Sequence, residues 1–318
     1  MSEGQIQEFV AVADATADGR PSTKRPRHEA GASFGDTQRM MLNPDDFKRT
    51  IQAIERLGAK PDVLVKVSDL AKDLTVDLAS LCALLRRDGP LAADIIRTSN
   101  SPYYAPTTLH SNLTSAVNYI GMREVFRVVH LCLSRRIFAR DLPSYGISSA
   151  DYWSASVAAA LLMEALAKQS GLNPEDAYTI GILHAIGRLL INHVIEERRA
   201  TIKWDGHQPV QEWERSAVGL DYAQAGAMLL EHWSFPILTC DVIRCQLDAG
   251  KAAQEVSLFG SLKFTLRLLA LTGLNFEKSG WRLSEADPFM QASGLTPVAV
   301  LQCISTCRQD FRRIVQAG

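Results

Sequence analysis

The residues in this chain that could do chemistry are few, and their spacing rarely supports a site. His184 stands out, in the string Gly181-Ile182-Leu183-His184-Ala185-Ile186-Gly187-Arg188. An imidazole can move protons or hold a metal, but either task needs a second group placed to orient or share the load. Here the next residue is the inert Ala185. The six cysteines are Cys82, Cys132, Cys240, Cys245, Cys303 and Cys307, with no CxxC pair among them, which excludes a zinc ribbon or a thioredoxin-type dithiol. They fall in apolar helical patterns, so they read as small core residues in a reducing, cytoplasmic compartment. Cys245 has no neighbour that would make it a nucleophile, and a buried, inert thiol is the better reading. No P-loop, His-Glu-x-x-His or Gly-x-Gly-x-x-Gly is present. Arg135-Arg136 and Arg312-Arg313 could meet phosphate, yet each also fits a solvated helix face or a helix C-terminal turn. The five tryptophans are dispersed, which suits packing rather than a base-stacking platform.

Those residues need elements to place them. The 318 residues are 47% hydrophobic and 22% charged with a net charge of -1, a globular composition with no global field for nucleic acid or membrane. No apolar run reaches the roughly 20 residues that span a bilayer, and no signal peptide is evident. Residues 1–40 lack an apolar period and predict a disordered tail. Its basic run, Lys24, Arg25 and Arg27, is the sole hint of nucleic-acid binding and is better read as solvated. From Asn43 the pattern becomes helical, with Pro44 at the first turn, Phe47, Ile51, Ile54 and Leu57 on one face, and Gly58 as the stop. Further helices are predicted over 69–74, 78–85, 91–98, 114–120, 124–138, 151–169, 174–185, 186–197, 210–218, 222–233, 236–247, 253–274 and 297–315. No period-two stretch bounded by hairpin turns occurs, so the fold class is all-α, a multi-helix bundle.

Several strings in order carry a family resemblance. The His184 string resembles Gly-Leu-Leu-His-Asp-Ile-Gly-Lys of the HD superfamily of metal phosphohydrolases. Asp88 to Ser101 is similar to the Asp-Pro-x-Leu turn, helix and Leu-Arg-x-x-Asn-Ser of the HDOD family. Ser115 to Gly121, Trp153 to Ser156, Gly219 to Ala227 and His232 to Pro236 follow that family's later segments in sequence. The chain is therefore identified as a member of the HDOD family, and the likeness runs over residues 43–250. It implies an HD-like bundle over 150–250, an N-terminal helical part over 41–145 and a C-terminal helical extension over 251–318.

The resemblance also implies which positions once held metal, and nearly all are changed. Ala155 stands where relatives place a first His, Ala185 where they place the Asp, Tyr222 at a further His, and Cys245-Gln246 at a His-His pair. The late Asp aligns with Leu266. His184 alone remains, and a lone imidazole cannot hold Mg²⁺ or Mn²⁺, which favour several oxygen ligands. A new zinc site from His184, Cys245 and Asp221 or Asp248 has acceptable donors but no metal-site spacing. The expectation is a vestigial pocket of Ala155, His184, Ala185, Tyr222, Cys245 and Gln246, with no metal, no cofactor and no enzymatic activity. Structural roles are expected for Asn100, Ser101, Gly121, Trp233 and Pro236, with Asn100 capping backbone groups after its helix. The resemblance implies a cytoplasmic, non-catalytic bacterial signalling module that binds a protein partner and no membrane. Two alternatives stand beside it: a nucleotide or cyclic-dinucleotide sensor using the vestigial pocket, and a degenerate metal phosphohydrolase.

Overall fold

The computed structural model describes residues 44–56, 63, 65–67, 70, 78–102, 104–198, 200–248, 256–271, 283–284 and 286–317. The expected tail with Lys24, Arg25 and Arg27, the Asn43 cap, the Gly58 stop, all of the helix over 69–74 except Leu70, and the ends of the helix over 253–274 lie outside the described residues. The rest is all helix, with no strand among the described residues and one isolated bridge, Leu142 to Ile147.

Helix α6 (Ser149–Ser170) forms the centre. Ser148 caps it by accepting from the Asp151 amide at 3.1 Å, and Gly171 closes it at φ 73°. Its residues 155–164 are all buried, as is expected of a helix that is apolar all round. The Ala158-Ala159-Ala160 run keeps this helix thin. Helix α7 (Pro174–Leu183) uses that thinness: a Cβ on Gly181 would lie 2.6 Å from the Ala160 Cα. Asn173 caps α7 at the Asp176 amide, 2.8 Å away, and Pro174 occupies the first turn.

The remaining helices are arranged around that pair. Helix α1 (Pro44–Arg56) packs on α8 (Gly187–Glu197). Helices α2 (Leu78–Leu85), α3 (Gly89–Ser99), α4 (Leu113–Ile120) and α5 (Met122–Ile137) form a connected set joined to α6 through α5. Helix α9 (Val210–Val218) meets α8, which also packs on α10 (Tyr222–His232), and α10 packs on α11 (Ile237–Arg244). The C-terminal helices α12 (Leu258–Leu271) and α14 (Pro297–Ala317) pack directly on α6. Val300, Cys303, Ile304 and Cys307 thus join the same core as α6 and α7. Each fully buried aliphatic side chain of that core contributes roughly 1.5–3 kcal/mol.

Three boundaries differ from the sequence reading. Helices α7 and α8 do not meet end to end, because 184–186 form a turn between them. Helix α11 stops at Arg244, so Cys245 and Gln246 sit in the turn beyond it. A short helix, α13 (Pro288–Ser293), was not expected; Asp287 caps it at the Phe289 amide. One stretch, Pro174–Glu197, has the length and apolarity of a membrane span, but 94% of its apolar window is buried inside the protein. It comprises α7, the turn and α8, and serves as core.

Candidate functional site

The turn that carries His184 is held by close backbone approaches. Gly187 opens α8 beneath the start of α10, where a Cβ would lie 2.0 Å from the Tyr222 carbonyl oxygen and 2.5 Å from the Gly226 nitrogen. Real Cβ contacts are not this short, so only glycine lets α8 and α10 cross here. Asp221 fixes the start of α10 with a reciprocal cap: its carboxylate accepts from the Gln224 amide at 2.9 Å, and Gln224 Oε1 accepts from the Asp221 amide at 3.1 Å. Arg215 binds the same carboxylate at 2.6 Å. Asp221 is therefore engaged at its helix terminus.

Most of the predicted pocket residues meet in the interior. Gln246 Nε2 donates to the His184 carbonyl at 2.8 Å and to the Ile243 carbonyl at 3.0 Å. Tyr152, one turn before Ala155 on α6, donates from its hydroxyl to the Ala185 carbonyl at 2.7 Å. His184 donates from Nδ1 to the Gly181 carbonyl at 2.7 Å, which fixes its tautomer. Ala155, His184, Ala185, Tyr222 and Gln246 are all buried; Cys245, at the end of α11, is half-buried. Asp248 is exposed and Leu266 is half-buried on α12. A cavity of about 300 Å³ and a smaller one of about 120 Å³ are lined by other residues.

A fixed positive charge lies close to these residues. Arg188 is 2% exposed, with its guanidinium carbon 4.5 Å from the Tyr222 ring centroid and 5.8 Å from that of Tyr145. Both are cation–π distances. Glu214, on α9, is fully buried and accepts from the Tyr145 hydroxyl and from the Tyr222 amide, each at 2.8 Å. Burial pushes the Glu214 carboxyl up to about 7, against the pull of the Arg188 charge and of the two hydrogen bonds. Burial pushes the His184 imidazole down to about 4, and the Arg188 charge adds to that shift while the bond to Gly181 opposes it. His184 is thus neutral, and Arg188 lies within electrostatic reach of His184, Tyr145, Tyr152 and Glu214.

The divalent ion of the HD superfamily does not fit these residues. Among the described residues, no three His, Cys, Asp or Glu side chains converge to hold an ion. The sketched zinc set of His184, Cys245 and Asp221 or Asp248 is not assembled either.

Sequence reading missed Arg188, Glu214, Tyr145 and Tyr152 as members of this cluster. For Glu214 a signal was available. Val210, Trp213, Glu214, Ala217 and Val218 recur at helical spacing and form the buried face of α9, so the glutamate falls on an apolar stripe.

The residues expected to be structural have definite positions. Asn100 ends α3; its Nδ2 donates to the His110 carbonyl and its Oδ1 accepts from the His110 amide, both at 2.8 Å, which ties together the ends of the loop between α3 and α4. Ser101 is buried, and its carbonyl accepts from the amides of Tyr104 and Ala105 at 3.1 Å each. Gly121 links α4 to α5 at φ 81°, a left-handed value that favours glycine. Trp233 donates from Nε1 to Glu55 at 3.2 Å, joining the end of α10 to α1. Pro236 precedes α11 and its carbonyl accepts from the Cys240 amide at 3.2 Å.

Known proteins share this architecture. A crystal structure of an HDOD domain protein with unknown function from Geobacter sulfurreducens is similar at TM-score 0.63 and 19% identity, covering 86% of this chain and 99% of that one. One from Shewanella amazonensis, provisionally named a phosphohydrolase, matches at TM-score 0.58 and 20% identity over 85% of this chain and 98% of its own. One from Marinobacter aquaeolei, provisionally named a signal transduction protein, matches at TM-score 0.63 and 18% identity over 98% of this chain and 64% of its own. At these identities the likeness is one of fold. An uncharacterized protein from Treponema pallidum is 21% identical over 225 residues, or 68% of this chain; the chain spans 43% of that relative's length. The HDOD domain model matches residues 57–249, more than half of the sequence, and the chain belongs to the HDOD family.

Proposed function

We propose that this protein is a non-catalytic regulatory module of bacterial signal transduction that acts by binding a protein partner in the cytoplasm. One observation carries the reading: among the described residues no three His, Cys, Asp or Glu side chains converge to hold an ion, and His184, the histidine that remains of the implied ligand set, has its Nδ1 bound to the Gly181 carbonyl. A hydrolytic site needs a cation to generate hydroxide near neutral pH. The implied positions hold Ala155, Ala185, Tyr222 and Cys245-Gln246, which provide no such ligand set. The provisional naming of the Marinobacter relative supports the signalling context. The proposed organisation is a tail over 1–40, an HDOD domain over 41–250 and a C-terminal extension over 251–318.

Incubating the full chain with bis(p-nitrophenyl) phosphate and with p-nitrophenyl phosphate in Mn²⁺, Mg²⁺ or Zn²⁺ tests this. The expected result is no release of nitrophenol above the buffer rate with any ion. Turnover that disappears in His184→Ala would return the protein to the phosphohydrolases.

A further inference from the structure

Six large hydrophobic side chains are exposed among the described residues, and three of them meet at one corner: Leu109, Tyr119 and Met122, at 74%, 46% and 36% exposure. Leu109 lies on the loop between α3 and α4, Tyr119 near the end of α4, and Met122 at the start of α5. The Tyr119 ring is 4.6 Å from that of His110, the neighbour of Leu109, and Gly121 turns the chain from Tyr119 to Met122. Single exposed apolar residues are ordinary, whereas a contiguous group with a polar rim marks an interaction surface.

This corner is held firmly. Asn100 grips both the amide and the carbonyl of His110, and the Tyr119 hydroxyl donates to the Tyr104 carbonyl at 2.8 Å. Ala105, in the same loop, holds φ 43°, a left-handed value that is strained for alanine. Such strain persists only where surrounding contacts over-determine the backbone, and a surface fixed in advance loses little freedom on binding.

The chemistry of the corner narrows what can cover it. No Asp, Glu, Lys or Arg occurs in the 25 residues between Arg97 and Arg123, in a chain that is 22% charged. The one imidazole there, His110, has its Nε2 buried. The charges that other contacts bring to the edge are one of each sign and already engaged. Glu124 accepts from the Tyr104 hydroxyl at 3.0 Å and lies 3.6 Å from Arg127, and Arg86 donates to the Thr114 hydroxyl at 2.8 Å. Without Lys or Arg the surface has no grip on a phosphate backbone or on anionic headgroups. Without an excess of either sign it does not select an acidic or a basic peptide. Thr107, Ser111 and Asn118, exposed at the rim, carry hydroxyl or amide groups that both donate and accept.

We infer that this corner is the contact face of a homodimer, in which Leu109, Tyr119 and Met122 pack against the same residues of a second copy about a two-fold axis. A two-fold contact sets a patch against itself, so an excess charge within it would repel its own image. An uncharged patch rimmed by groups that both donate and accept meets that condition. The net charge of -1 on the whole chain adds little long-range repulsion. The inference goes beyond the proposed signalling role: self-association neither requires nor excludes a further protein partner.

The test is sedimentation velocity of the full chain from low to high micromolar concentration. The expected result is a reversible monomer–dimer equilibrium. Leu109→Glu alters a solvent-exposed side chain and should leave the circular dichroism spectrum unchanged. It should weaken the dimer at least about ten-fold, because a two-fold contact receives the buried charge twice. Ile237→Glu, at a site 80% exposed on α11, should leave the equilibrium as it is. Leu109→p-benzoylphenylalanine should, on irradiation, give a product of twice the chain mass. Sedimentation as a monomer throughout overturns the inference, as does equal dimerisation by Leu109→Glu and the wild-type chain, or loss of the dimer in Ile237→Glu. Flotation of the monomer with phosphatidylcholine vesicles, abolished by Leu109→Glu, would overturn it in favour of a lipid surface.

Discussion

The region around His184 and the α3–α5–α6–α7–α14 cavity lie in one molecule but differ in how much of their polarity is bound internally, although Gln246 Oε1 lacks a partner in the first as the Tyr178 hydroxyl does in the second. Around His184 the polar groups are turned inward on one another: Gln246 binds the His184 carbonyl, Tyr152 binds the Ala185 carbonyl, and Glu214 takes two hydrogen bonds beside Arg188. Around Tyr178 the protein leaves a hydroxyl unpartnered and, in the lining of the cavity of about 300 Å³, Arg135 stacked on Trp153 without an ion pair among the described residues. The first arrangement is held mainly by its own hydrogen bonds, and the second leaves open volume between its helices.

The largest expected effect comes from breaking the internal charge cluster. Arg188→Ala leaves Glu214 buried without its cation and should cost about 3–5 kcal/mol of stability at pH 8, read by urea denaturation. The loss should shrink at pH 6, where Glu214 can be protonated, because its carboxyl is already pushed up to about 7. The double change Arg188→Met with Glu214→Leu removes both charges and should recover most of that loss. If the single and double variants are equally unstable, Arg188 and Glu214 do not form a compensating pair.

Next is the helix crossing that brings Tyr222 to Arg188. Gly187→Ala places a methyl 2.0 Å from the Tyr222 carbonyl and should cost about 3 kcal/mol by overpacking. Thermal unfolding unchanged by this substitution would refute the close crossing.

A pH series sharpens the comparison further. His130 and His184 are both pushed down to about 4 by burial, so the folded state binds fewer protons than the unfolded chain between pH 4 and 6.5. Their contribution to stability is lost as pH falls through that window. Glu214, pushed up to about 7, has the opposite sign: its contribution is present below pH 4.5 and lost as pH rises through 7. Two imidazoles outweigh one carboxyl, so stability should climb by something on the order of 3 kcal/mol from pH 4 to 6.5. From pH 6.5 to 8 it should stay nearly flat, because the remaining gain from the two histidines and the Glu214 loss are of similar size. In Glu214→Gln stability should instead go on rising by somewhat under about 1 kcal/mol above pH 6.5. The smallest effect is expected at the cavity rim, where Arg135→Gln should change stability by less than about 0.5 kcal/mol.

Much of the fold could be read from short-range signals. Asn173-Pro174 marks a helix start by chemistry that is local, and the apolar periods place nearly every long helix. The ordered strings that carry the family likeness, such as Gly181 to Arg188, were also legible. Two things were not. The turn at 184–186 interrupts a continuous apolar run, and its cause is a contact between Gly187 and Tyr222 across 35 positions of sequence. The cavity joins Arg135, Tyr178 and Asp310 from three distant helices, and no local pattern records that meeting. Arg188 falls between these cases: it stands in the quoted string, but its partner Glu214 becomes visible only when α9 is seen to bury the glutamate face.

The central claim is that the residues around His184 do not assemble an ion-binding ligand set. Elemental analysis of the full chain after dialysis against Mn²⁺, Zn²⁺ and Mg²⁺ and subsequent gel filtration measures this directly. The account predicts fewer than about 0.1 equivalents of any ion per chain, because no preformed ligand set exists. About one equivalent retained by the wild-type chain and lost in His184→Ala would contradict it.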